Sequence, residues 1–186
     1  MKLNSDFVYE KYGLKTRLVN EQDAGFILRL RTNPKLNQFI HPTSSDISQQ
    51  IDWIREYKKR EAEGSEYYFI FYKNEQLLGC IRLYHIKENR FAVGSWLFEP
   101  DQPFEYAVAS ALITRTIAFD ILGKELEYSV DGCHKDNKKV IKFNQMMGMK
   151  IRGSRHEEMG EFYLFNLTKE DFQKHKEKIE KLIGLN

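Results

Sequence analysis

Two cysteines and four prolines are all that this chain of 186 residues holds. Cys80 and Cys133 form no spacing motif, so a disulfide framework is not expected, nor is a metal site. A reducing, cytoplasmic compartment fits that usage. Long apolar runs are missing too: none approaches the about 18 residues needed to cross a bilayer. The first residues have no apolar stretch, so no signal peptide is expected. Neither sign of charge dominates: Lys and Arg number 29, Asp and Glu 27, and the two are interspersed. Nucleic-acid binding, which needs a clustered basic face, is therefore not expected, and neither is a membrane partner. Repeats, low-complexity tracts and linkers are also lacking, which leaves one domain over 1–186.

The chain does have an ordinary globular composition, 41% hydrophobic and 30% charged. Residues 14–19 read as a strand and 21–31 as a short helix with Phe26, Ile27 and Leu30 on its apolar side. Asn33-Pro34 ends that helix. Asp46 is the expected N-cap of the next, with Gln49 three residues on, and Ile47, Ile51, Ile54 and Tyr57 share one face. A meander of strands at 66–72, 76–87 and 90–98 follows, with turns at 73–75 and 88–89. Pro103 suits the first turn of an apolar helix that stops at Gly123. Then come a strand at 127–130, a helix at 138–147 closed by Gly148, strands at 150–155 and 161–167, and a C-terminal helix at about 169–183. This order predicts an α/β fold: a mixed, mostly antiparallel sheet flanked by helices. The last helix packs on its own domain or on a twin, so a monomer or a homodimer is expected. A ligand site belongs where strand order breaks.

Two segments resemble the GNAT acetyltransferase superfamily. Gly94-Ser95-Trp96-Leu97-Phe98-Glu99-Pro100 is similar to the strand-and-loop segment of acetyltransferases that modify ribosomal-protein N-termini. Asn137-Lys138-Lys139-Val140-Ile141-Lys142-Phe143, with Gly148-Met149 after it, looks like the family's Asn-x-x-small-x-x-Phe-aromatic helix and its glycine exit. The resemblance spans roughly 14–167 and implies a splayed sheet and acetyl-CoA as co-substrate. It places the pantetheine arm like an extra strand against Trp96, Leu97 and Phe98. It places the pyrophosphate at the helix N-terminus near Gln102, Phe104 and Glu105. Asn137 and Phe143 would lie beside the arm, and Lys139 would add positive charge from the other wall. The implied reaction is direct attack by an amine on the thioester in a ternary complex.

The chain departs from the family at two places. The pyrophosphate loop of the family carries a basic or amide residue and several glycines, whereas 99–106 has no glycine. Glu99, Asp101 and Glu105 are acidic, and no Lys or Arg stands between Arg90 and Arg115. A carboxylate close to phosphate is repelled by about 1 kcal/mol or more, which argues against tight CoA binding. The second departure is Asn144, where many members have the tyrosine that protonates the leaving thiolate. Asparagine can offer only a hydrogen bond. Asn144 shares a helix face with Asn137 and Val140.

His85, Glu99 and His41 are the candidate proton acceptors, with Asn144 at the leaving group. Ser95 faces opposite to Trp96 and is a candidate for substrate contact. Cys133 lacks a base partner, which disfavours a nucleophilic role. Leu30-Arg31-Thr32-Asn33-Pro34 resembles a segment of acetyltransferases that act on nucleotide-linked amino sugars, and Arg31 would clamp a phosphate or carboxylate. The expected function is N-acetyl transfer from acetyl-CoA to a small-molecule primary amine, with a nucleotide-linked amino sugar favoured. The alternatives are a protein N-terminus, a small polyamine, or a catalytically silent binding module of the same fold.

Overall fold

The computed structural model describes residues 1–184; Leu185 and Asn186, the end of the expected domain, lie outside the described residues. The chain opens with a hairpin, β1 (Val8–Lys11) and β2 (Leu14–Leu18), turned through Tyr12 and Gly13 at positive φ. β1 is not among the expected strands, because its half-exposed residues present no apolar face. Asn20 caps a 3-10 turn, Glu21–Asp23, that leads into α1 (Ala24–Thr32). α2 (Ile47–Glu63) begins at Asp46, whose carboxylate accepts from the Ser48 N–H, and ends at Gly64. Ile54 and Tyr57 are fully buried. Ile47, expected on the same face, lies half exposed over Gly25, which has no side chain to cover it.

β3 (Tyr67–Lys73), β4 (Gln76–Lys87) and β5 (Arg90–Phe98) form the expected antiparallel meander. β3 reads as unbroken aromatic sequence because both of its faces are buried. Tyr67, Phe69 and Phe71 enter one core, and Tyr68 and Ile70 enter the other. α3 (Phe104–Thr116) continues through a π-helical turn, Ile117–Ile121, before Gly123. It is apolar on most sides and fills the larger core.

β6 (Leu126–Tyr128) is three residues long, shorter than the strand expected at 127–130. β7 (Cys133–His134) was not expected; it is a two-residue pairing that gives no alternating signal. α4 (Lys138–Met146) is capped by Asn137, and Gly148 follows at positive φ with His175 packed against its α-carbon. β8 (Lys150–Glu157), β9 (Gly160–Thr168) and α5 (Lys169–Leu182) complete the chain. α5 buries Phe172 and Ile179 against its own domain and leaves Leu182 exposed.

Among the described residues nine strands form one sheet in the order β1-β2-β3-β4-β5-β6-β9-β7, with β8 on β9. Every pair is antiparallel except β5 with β6. That parallel pair is joined only at Arg90–Leu126 and Phe91–Glu127. Past those residues the strands part, so the mixed, mostly antiparallel sheet is splayed.

Candidate active site

The gap between β5 and β6 opens into a cavity of about 550 Å³, a size suited to small molecules. β4, β5, the segment after β6 and α4 supply its floor and sides. α1, α2 and the loop between them supply a further wall.

β5 carries one more residue than β4 between the Cys80–Leu97 and Arg82–Gly94 pairs. This bulge sets Ser95 at positive φ and brings Val93, Gly94, Ser95 and Trp96 onto the cavity. The Trp96 indole N–H donates to Ser110 Oγ at 3.2 Å, and its ring lies 4.6 Å from that of Phe143. Leu97 and Phe98 turn their side chains into opposite cores. Any contact they make with a cofactor therefore runs through the backbone edge, which among the described residues has no strand partner beyond Phe91 on the β6 side.

Asn137, Val140 and Asn144 line the cavity together from one face of α4. Asn137 also caps that helix, its Oδ1 accepting the Val140 N–H at 3.4 Å. Lys139 is exposed and outside the lining, and Phe143 is buried behind Trp96. At the start of α3, Pro103 offers no side-chain cap, and the side chains of Phe104 and Glu105 point to solvent. The first amides of that helix remain available to an anion.

The acidic loop is arranged differently from its sequence pattern. Glu99 is bound to Arg29 of α1, and Asp101 lies 3.5 Å from Lys35. Glu99 and Gln102 line a separate shallow groove with Arg29 and Phe26, not the main cavity. As a candidate base Glu99 is therefore misplaced. His85 is misplaced as well: a second bulge, on β4, holds it at positive φ and exposed, outside the cavity lining. His41 and Arg31 do line the cavity. Arg31 Nε donates to Thr43 Oγ1 at 2.8 Å and fixes the loop against α1.

Several lining residues escaped the sequence reading. Arg82 and Tyr84 alternate with the buried Ile81 and Leu83, a pattern that could have marked one face of β4 for the cleft. The Arg82 guanidinium lies 5.6 Å from the Trp53 ring and 4.5 Å from the Tyr84 ring. Its Nε is buried and has no hydrogen-bond partner among the described residues. Arg115 and Glu127 form a buried bidentate pair, with both bonds at 2.8 Å. Burial pushes the Glu127 carboxyl upward, and Arg115 pulls against that shift. The signal for this pair was an arginine within an otherwise apolar helix.

His134 has both ring nitrogens engaged. Nδ1 accepts from the Asp136 N–H at 3.1 Å, so Nε2 carries the hydrogen and donates to the Met159 carbonyl at 3.0 Å. The Phe39 ring, also on the cavity lining, stacks on it at 5.2 Å. Burial pushes the Cys133 thiol up to about 11, so it stays protonated near neutral pH and is no nucleophile.

The Acetyltransferase (GNAT) domain family matches residues 14–150. Apo FdhC, described as a nucleotide-linked sugar GNAT, is 35% identical with a TM-score of 0.80, covering 97% of this chain and 99% of its own. Acetyltransferase PseH of Campylobacter jejuni subsp. jejuni serotype O:23/36 (strain 81-176) is 24% identical over 153 residues, 82% of this chain and 90% of PseH. The ribosomal-protein-S5-alanine acetyltransferase from Vibrio fischeri shares the fold, with a TM-score of 0.76 at 16% identity over 90% of this chain and 99% of its own. The family match takes in the parted strands and both helices that border the cleft, α3 and α4, so the chain belongs to the GNAT acetyltransferase family and is an N-acetyltransferase.

Proposed function

We propose that this protein transfers an acetyl group from acetyl-CoA to the primary amine of a nucleotide-linked amino sugar. The observation that carries this reading is the charge of the acceptor wall. Arg31 and Arg82 both line the cavity, Arg31 bonded to a neutral hydroxyl and Arg82 with a buried, unbonded Nε; Glu66, 3.6 Å from Arg82 Nη1, is shared with Arg60 and so offsets only part of that charge. Arg115 and Glu127 cancel each other. A diphosphate is attracted by such a wall, whereas a cationic polyamine is repelled. Trp53, Tyr84 and Phe39 add flat apolar surface for a base or sugar. The 35% identity to a nucleotide-linked sugar GNAT supports the same acceptor class.

On the donor side, the open β5 edge suits the amide groups of a pantetheine arm, and the uncapped start of α3 suits a pyrophosphate. Arg29 and Lys35 blunt the nearby acids that would oppose it. The cavity would hold amine and thioester in line, as the amine nitrogen bonds to the acetyl carbon and the C–S bond breaks. Asn144, on the cleft face of α4, would offer its amide N–H to the departing sulfur.

Calorimetry with acetyl-CoA, then a thiol-release assay against nucleotide-linked amino sugars, N-terminal peptides and spermidine, tests the reading. Sub-millimolar acetyl-CoA binding and the highest kcat/KM with a nucleotide-linked sugar are expected. A higher kcat/KM for peptide or spermidine overturns the acceptor, and undetectable acetyl-CoA binding overturns the donor.

A further inference from the structure

We propose that Asp131 accepts the proton of the attacking amine and that Tyr84 is the positioning residue that holds its carboxylate over the cleft. This inference rests on acetyl transfer to an amine, as read above, and concerns the same cavity.

Direct attack needs a neutral amine, so the site must take a proton from the bound ammonium. The structure removes the other candidates in turn. Glu99 and His85 lie outside the cavity. The Glu127 carboxylate has both oxygens bonded to Arg115. His134 has both ring nitrogens bonded, and Cys133 is a buried thiol. His41 also lines the cavity, but no hydrogen bond among the described residues holds its ring in place.

Asp131 remains. It follows the end of β6, where the cleft opens, and it lines the cavity. Tyr84 Oη donates to Asp131 Oδ2 at 2.7 Å, and Oδ1 has no hydrogen bond among the described residues. Tyr84 comes from β4, so the bond reaches across the gap between β5 and β6. The Tyr84 ring also lies on Gly94: a side chain there would meet it at 3.0 Å. Gly94 adjoins the β5 bulge, on the edge where an acetyl-bearing arm would run. The carboxylate is thus tethered over the point where the two reactants would meet. It is exposed, so a proton it accepts can pass to water.

The charged and titratable groups facing Asp131 are few. Arg82 lies against the Tyr84 ring, Arg155 of β8 donates to the Asp131 backbone carbonyl, and His134 lies nearby on β7. Burial and the neighbouring carboxylate keep the Tyr84 hydroxyl protonated. It therefore acts as a donor that fixes Asp131.

The balance is simple. The ammonium gives one proton to Asp131, which releases it to solvent. The nitrogen lone pair forms the C–N bond, and the C–S bond breaks with its electrons on sulfur. The excess proton left on nitrogen ends on that thiolate, giving the amide and the CoA thiol.

The test compares the pH dependence of kcat/KM for wild type, Asp131→Asn, Tyr84→Phe and His41→Ala, using whichever amine the panel selects. Asp131→Asn should fall about 100-fold near neutral pH and recover as pH rises and the amine deprotonates unaided. Its acetyl-CoA affinity by calorimetry should be unchanged. Tyr84→Phe should lose about tenfold with the wild-type pH slope retained. A uniform loss at every pH in Asp131→Asn, or a change under about threefold, overturns the proposal. So does a pH dependence abolished in His41→Ala. If a peptide is the preferred amine and Asp131→Asn shows the expected profile, the acceptor reading falls and Asp131 stands. A wild-type protein that turns over no amine overturns both.

Discussion

Arg31 and Arg82 come from different elements, α1 and β4, and both line the cavity. Removing either should raise the KM for an anionic acceptor about tenfold or more and leave acetyl-CoA affinity in place. Weakened acetyl-CoA binding in Arg31→Ala or Arg82→Ala would assign them to the donor side instead. The acids of 99–105 lead to an opposite expectation. Glu99 and Asp101 have cationic partners in Arg29 and Lys35. Glu99→Gln with Asp101→Asn should therefore leave the acetyl-CoA Kd within about twofold, as calorimetry would read it. A large gain in affinity would mean that these carboxylates do face phosphate. At this scale the sequence showed what each residue is, but not what it meets. The repulsion inferred from three acids ignored an arginine from α1, because chain separation hides ion pairs formed by folding. Arg31, His41, Ser95, Trp96, Asn137 and Asn144 do reach the cavity. Asp131, Tyr84 and Arg82 were not among the expected site residues: the last two lie within a strand expected only as part of the meander, and Asp131 lies just past the strand expected at 127–130.

Elements were more legible, since caps, turns and period declare themselves locally. Asp46, Asn137 and Gly148 mark helix ends as their chemistry predicts. Bulges do not declare themselves, and two of them, at Ser95 and His85, decide which side chains face the cleft. Cross-strand fit is equally silent. Gly79 sits opposite Phe98, whose ring lies where a β-carbon would be, as close as 2.3 Å. Gly79→Ala should cost about 1–3 kcal/mol of stability by overpacking, measured by denaturant unfolding; an unchanged midpoint would show that the ring swings clear. Arg115 and Glu127 tie α3 to β6 at the point where the sheet parts. Breaking this buried pair with Arg115→Met alone should cost about 3–5 kcal/mol, because it strands a carboxylate. Adding Glu127→Leu should return much of that loss, and a double variant as unstable as the single one would contradict the account.

The whole molecule follows the order of elements expected from periodicity, with β1 and β7 the additions. Strand neighbours were not readable from any one segment: β9 joins β6, β7 and β8, a pairing set by the closed core rather than by local sequence. Core burial also sets a pH response. Burial pushes the Cys80 and Cys133 thiols from 9.0 up to about 11. Unfolded thiols lose their protons first, so their contribution is complete below pH 9.0 and is lost as pH rises toward about 11. For Cys80 alone the slope approaches about 1.4 kcal/mol per pH unit. Urea unfolding at about pH 8 and about pH 10 should show the decline, reduced in Cys80→Ala. Equal stability at both values would rule it out.

The two-residue contact between β5 and β6 leaves the rest of that β5 edge unpaired in the middle of a sheet, among the described residues. An unfilled edge of that kind is a template for pairing with another chain. A donor molecule lying there would act as a temporary tenth strand as well as a reagent. By mass action the folded state would then gain stability with the logarithm of donor concentration. Resistance to heat and to self-association would rise when donor is plentiful and fall when it runs short, making the lifetime of the protein a readout of its supply.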